Sequence, residues 1–101
     1  MSCSVTTVYT FNIESSFEEW VLIFDSEEAH KRHSDFEITP LYRGISKDDP
    51  KKVIVIHQHP DGNDKKFLEA NADWIATHKV VLSTMQQSSW TATAGTVNCC
   101  D

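Results

Sequence analysis

The stretch 53-VIVIHQHP-60 decides the fold, because four apolar β-favouring residues run without a polar break into two histidines. A strand loses alternating polarity when both of its faces are covered, so 53–58 reads as a central strand. His57 and His59 share the parity of Val53 and Val55, and Ile54 and Ile56 take the other face. Pro60-Asp61-Gly62 then supplies turn chemistry, which predicts that the chain leaves the sheet after His59. On that reading His57 is buried and His59 is exposed.

Outward from this strand, 47-KDDPKK-52 is a turn, and 36-FEITPLYRGIS-46 before it mixes β-branched and aromatic residues with Pro40 and Gly44. A proline gives up a ladder donor, so this segment is expected at a sheet edge. At the start of the chain, 5-VTTVYTFNI-13 alternates, with Val5, Tyr9, Phe11 and Ile13 on one face beside Thr7. Ser16 followed by Glu19 makes a capping box, and Phe17, Trp20, Val21 and Phe24 then form a helical apolar stripe. The polar run 25-DSEEAHKRH-33 continues the helix or starts a second one at Asp25-Ser26. Its histidines, His30 and His33, are expected on a solvated face, where a metal site with Glu27 is the lesser alternative.

After the decisive strand, Asn63 or Asp64 is expected to cap a helix from Lys65 to about His78. Phe67, Asn71, Trp74 and His78 form its stripe, with Leu68, Ala72 and Ile75 alongside. The segment 79-KVVLSTMQQ-87 is ambiguous between helix and extended chain. Residues 88-SSWTATA-94 suit a last strand, and 95–101 read as a flexible C-terminal tail that is expected to be dispensable. The domain is therefore expected over 1–94.

The order β-α-β-β-α-β predicts an α+β, ferredoxin-like fold: a four-stranded antiparallel sheet with two helices on one face, and the first and third strands central. The helices leave one sheet face bare, yet Ile54 and Ile56 lie on it. A second copy of the same sheet is the simplest cover, so a homodimer is expected.

Composition narrows the function. A chain of 101 residues is one domain, and a net charge of −6 argues against nucleic-acid binding, which needs a basic face. Lys51-Lys52 and Lys65-Lys66 border acidic residues and read as solvated turns. No apolar run approaches the ~20 residues that span a bilayer, and the N-terminus shows no signal-peptide core, so membrane partners are not expected. Cys3, Cys99 and Cys100 make a poor disulfide framework and are expected as free thiols in the cytoplasm. No glycine-rich loop exists for a nucleotide, and no cofactor is expected.

The runs FEEWVLIFDSEEAHKRH, LYRGISKDDPKKVIVIHQ and FLEANADWIATHKV resemble a small family of uncharacterised cyanobacterial proteins within the dimeric α+β barrel superfamily. The likeness covers roughly residues 6–90, and its most specific elements are Trp20, 42-YRG-44, 48-DDPKKV-53 and the histidine-bearing strand. Superfamily members include cofactor-independent antibiotic-biosynthesis monooxygenases, stress-responsive barrel proteins and muconolactone-isomerase-like enzymes. The resemblance implies a dimer with a small-molecule cleft between helices and sheet. It carries no catalytic set across, because the superfamily shares architecture more than residues.

The candidate site follows from the strand and helix stripes. His57 is the candidate proton-transfer residue, with Asn71, Trp74 and His78 on the facing helix as ligand-binding candidates. Arg43 and Tyr42 are further candidates for recognising a carboxylate, against pairing of Arg43 with a surface acid. Cofactor-independent oxygenation or isomerisation leads the functional readings. A non-catalytic binding or stress-response dimer is the first alternative. A metal-dependent enzyme using His57 and His59 is the second, although no third ligand stands at a diagnostic spacing.

Overall fold

The computed structural model describes residues 4–91. Seven elements follow in order: β1 (Ser4–Ile13), α1 (Phe17–Phe24), α2 (Glu27–Ser34), β2 (Thr39–Ile45), β3 (Lys52–Pro60), α3 (Asn63–Thr77) and β4 (Val80–Thr91). The sheet is antiparallel with order β2-β3-β1-β4, so the first and third strands are central as expected. β1 and β3 pair over nine residues, from Ser4 opposite Pro60 to Asn12 opposite Lys52. The fold is ferredoxin-like, with the first helical segment divided in two.

Serine chemistry explains that division. Ser16 Oγ accepts from the Glu19 amide and caps α1, as the capping box requires. Ser26 then caps α2 by accepting from the Ala29 amide, while its own hydroxyl donates to the Ile23 carbonyl at 2.6 Å. One side chain thus satisfies groups of both helices, and the chain breaks at 25–26 rather than running on.

The helix-facing side of the sheet carries the core: Tyr9, Phe11, Ile13, Val53, Val55 and Val80 pack beneath Trp20, with Phe17, Val21, Phe24, Leu68, Ile75 and Met85 around them. Trp20 stacks on Phe24 with ring centroids 4.8 Å apart. Its large buried area anchors α1, which is only eight residues long and marginal by itself.

Three expectations change. α3 begins at Asn63 with Gly62 as its N-cap in the left-handed region, and neither Asn63 nor Asp64 caps it. Both side chains are used in tertiary contacts: Asn63 Nδ2 donates to the Phe36 carbonyl and Asp64 turns into the protein. The ambiguous 79–87 segment is strand, part of a twelve-residue β4 whose pairing with β1 outweighs its weak alternation. β3 extends through Pro60, because β2 stops pairing at Gln58 and leaves Pro60 with β1 on one side only. Pro40 does sit on an edge strand, beside a register shift between Pro40 and Tyr42. The expected tail from Gly95, together with Cys3, Cys99 and Cys100, lies outside the described residues.

Among the described residues, no helix covers the opposite sheet face. Val8, Ile54 and Ile56 lie there across adjacent strands, flanked by Tyr42 and Trp90, which are 56% and 62% exposed. No helix of the described residues is long and apolar enough to cross a membrane.

Candidate site: an apolar cavity with unpaired polar atoms

β1 and β3 present Tyr9 and His57 to the space under the helices, and α3 supplies Phe67, Leu68, Trp74, Ile75 and His78 as the opposite wall. Phe24 of α1 and His33 of α2 close a third side. The result is a small cavity of about 70 Å³ lined almost wholly by carbon. An apolar cavity of about 150 Å³ holds benzene, so this one admits a single ring only as its walls move outward.

His57 is 4% exposed, as expected, and neither ring nitrogen has a hydrogen-bond partner among the described residues. The Tyr9 hydroxyl, Trp74 Nε1 and His78 Nε2 are also buried without one. All four residues line the same cavity. A buried polar group left unpaired costs on the order of 1–3 kcal/mol, so such groups ordinarily find partners. Trp74 Nε1 is the least isolated of them, because the Glu28 carboxyl is near enough to be lowered by it after the larger effect of Arg32.

Rings surround His57 closely. Tyr9 meets it edge-on at 5.4 Å, His33 edge-on at 4.8 Å, and Phe24 stacks at 6.2 Å. Burial, with lesser effects from His33 and His59, pushes the His57 pKa down to about 3. Burial also lowers His33, and it raises the Tyr9 phenol well above its usual range. All three are therefore neutral near pH 7.

His33 corrects the expectation of a solvated face. It is 4% exposed, stacks on Phe67 at 4.8 Å, and its Nδ1 lies 2.7 Å from the Ala29 carbonyl. A carbonyl only accepts, so Nδ1 carries the hydrogen and Nε2 keeps the lone pair. The signal was Ala29 and His33 at i and i+4, one uncharged stripe hidden in a charged run. His30 remains exposed, so the two histidines do not share a face.

His59 is the second correction: it is 2% exposed, not solvated. Since β3 continues through Pro60, the parity that buries Val53 and His57 also buries His59. Its Nε2 lies 2.7 Å from Thr7 Oγ1 and its Nδ1 2.8 Å from the Pro60 carbonyl. Both nitrogens are thus committed within the protein, away from the cavity lining that holds His57. Among the described residues, no three His, Cys, Asp or Glu side chains are grouped to hold a metal ion.

The other candidates separate. Trp74 and His78 line the cavity, with rings 4.9 Å apart. Asn71 is buried but engaged, its Oδ1 accepting from Arg32 at 2.6 Å and its Nδ2 donating to the Phe67 carbonyl. Arg32 also lies over the Trp74 ring at 4.6 Å, tying α2 to α3 above the cavity. Arg43 and Tyr42 are elsewhere, beside a shallow surface hollow near Pro40. Arg43 grips Asp25 through two bonds of 2.9 and 2.6 Å, the surface pairing weighed against ligand recognition. Both partners are substantially exposed, so the pair contributes no more than about 1 kcal/mol.

Residues 3–92 match the family described as "Domain of unknown function (DUF3764)". The chain belongs to this family. No curated protein matches its sequence. Among solved structures it is similar to a NIPSNAP family protein from Agrobacterium tumefaciens, with TM-score 0.65 and 9% identity over 95% of this chain and 91% of that one. A monooxygenase from the gene ActVA-Orf6 of Streptomyces coelicolor, in complex with the ligand nanaomycin D, gives TM-score 0.59 and 10% identity over 94% and 92%. A dimeric ferredoxin-like protein from an uncultured marine organism gives 0.56 and 9% over 96% and 93%. At such identities the likeness is one of fold, and this DUF3764 chain shares the ferredoxin-like fold of these proteins.

Proposed function

We propose that this protein is a homodimer whose subunits each bind a small uncharged ring compound, and that neutral His57 shuttles protons on it in an isomerase-like reaction. The observation that carries the reading is that Tyr9, His57 and His78, each with a buried polar atom lacking a partner among the described residues, line one carbon-walled cavity. A hydroxyl or carbonyl on the ligand would satisfy them. A carboxylate or phosphate would enter a carbon-lined, desolvated space in which His57, His33 and Tyr9 are neutral and do not offset its burial.

Magnitudes choose between chemistries. An imidazole whose conjugate acid has a pKa of about 3 is a weak base. Taking a proton fully from a phenol of pKa ~10 would cost roughly 9–10 kcal/mol before ion pairing. Ionising a substrate outright, as a first step towards oxygenation, is thus poorly served. A neutral imidazole that accepts at one nitrogen as it donates at the other never holds the charge. That bifunctional use suits enolisation or double-bond migration, where the proton leaves one atom and returns at another. Tyr9 would hold the carbonyl oxygen and His33 Nε2 would orient or relay beside it. A cytoplasmic setting goes with this reading, since three cysteines in 101 residues form no disulfide framework.

Titration with phenol and benzoate, read by quenching of the tryptophans that wall the cavity, tests the binding. Phenol should quench and benzoate should not, with Tyr9→Phe weakening phenol by about tenfold for one lost hydrogen bond. Equal binding of benzoate would overturn the uncharged-ligand reading. Deuterium exchange into an enolisable ring ketone, faster with protein and lost in His57→Leu, tests the chemistry. Binding without exchange would favour the non-catalytic dimer.

A further inference from the structure

Beyond the cavity, a second polar cluster lies where the first half of β1, the end of β3 and the start of α3 meet. Thr7 and His59 are almost wholly buried, and Asp64 is 6% exposed. Thr7 Oγ1 lies 2.7 Å from His59 Nε2, 3.1 Å from Ser89 Oγ and 3.4 Å from Asp64 Oδ2. Gln87 Nε2 donates to Asp64 Oδ2 at 2.8 Å, and Asp64 Oδ1 stands 4.0 Å from His59 Nδ1. Ser89 and Gln87 are exposed on β4, which is a sheet edge.

The hydrogens in this chain can be assigned. His59 Nδ1 faces the Pro60 carbonyl at 2.8 Å, and a carbonyl only accepts, so Nδ1 carries a hydrogen. In the neutral ring, Nε2 is then an acceptor. Thr7 has one proton, and the 2.7 Å contact to Nε2 takes it in preference to the 3.4 Å contact to Asp64. Thr7 oxygen is left as an acceptor, so Ser89 donates to it. The order runs from exposed hydroxyl to buried hydroxyl to imidazole, with a carboxylate behind the ring to stabilise it once protonated.

We infer that Ser89 is a base-activated nucleophile, reached from the β4 edge, that accepts acyl groups from small esters or thioesters. In the step, Ser89 Oγ bonds to the acyl carbon as the bond to the leaving oxygen or sulfur breaks and its electron pair departs with that atom. The Ser89 proton passes to Thr7, and the Thr7 proton passes to His59 Nε2. Thr7 acts through Ser89 and is a positioning residue. Ser89 points to the helix side, opposite Thr7, and Ser88 to the open face, opposite Val8.

The adjacent serines supply an internal control. The full chain is treated with p-nitrophenyl acetate, and acetylated positions are read by peptide mass spectrometry. Ser89 should acetylate with release of nitrophenolate while Ser88, also exposed but without the relay, does not. Thr7→Val should slow the Ser89 reaction about a hundredfold, the usual scale of general-base assistance, and Thr7→Ser should restore it. No acetyl group on Ser89, equal labelling of Ser88, a Thr7→Val variant that reacts at the normal rate, or a Thr7→Ser variant as slow as Thr7→Val would each overturn the inference. The reaction is independent of the cavity, so phenol binding should be unchanged in Ser89→Ala.

Discussion

Acidification from pH 6.5 to 4.5 should cost the native state about 2–3 kcal/mol through His57 alone, because each pH unit over which only the unfolded state gains the proton costs ~1.4 kcal/mol. The folded pKa is lowered to about 3 by burial, against 6.5 for the exposed group. The native state therefore binds fewer protons across that window. His57's contribution is complete above pH 6.5 and falls as pH drops towards 3, where the accumulated loss would approach roughly 4–5 kcal/mol as an upper limit. Water entering the cavity would reduce it. His33, lowered for the same reason, works in the same direction. Asp25 and Glu28 are also lowered, by their arginine partners, but carboxylate losses begin below about pH 4.5 and leave the upper part of the window to histidine. Urea unfolding at several pH values should show the decline in the wild type and a shallower one in His57→Gln. Parallel curves for the two proteins would mean that His57 is not the buried neutral group described.

Ile56→Glu should turn a dimer into a folded monomer. Ile56 lies mid-sheet opposite Val8 and Tyr42, on the face that no helix of the described residues covers. Symmetry would place the substitution twice in the proposed isologous interface. Two desolvated carboxylates at ~2 kcal/mol each correspond to a dissociation constant raised roughly a thousandfold. Sedimentation velocity at micromolar concentration would read this, with far-ultraviolet circular dichroism confirming the fold. A monomeric wild type, or a variant that stays dimeric, would remove the open face as the subunit contact.

Much of the architecture is legible because local chemistry and tertiary demand agree. Ser16 with Glu19 marks a helix start that the structure uses, and the unbroken Val53–Ile56 run sits between two strands. Pro40 marks an edge. The site is legible only in part. His57 and the Trp74–His78 wall follow from strand parity and helical spacing, but Tyr9 reads as core, since a phenol's missing partner cannot be seen from one strand. His33 is concealed because the charges on either side of it dominate the local pattern while only its i−4 partner Ala29 is apolar. His59 fails for a different reason. The turn at Asp61-Gly62 comes one residue later than the composition suggests, so β3 runs on through Pro60 and keeps His59 on the buried face that its parity assigns. The Thr7–His59–Asp64–Ser89 chain joins residues up to 82 apart in sequence, a separation no local pattern spans.

Nitrogen NMR of the histidine rings at pH 7, recorded as phenol is added, tests the cavity most directly. His57 should show one protonated and one bare nitrogen, and both should shift with phenol together with His78, while exposed His30 and hydrogen-bonded His59 stay fixed. A His57 ring protonated at both nitrogens, or ring signals in the cavity that ignore phenol at saturating concentration, would contradict it.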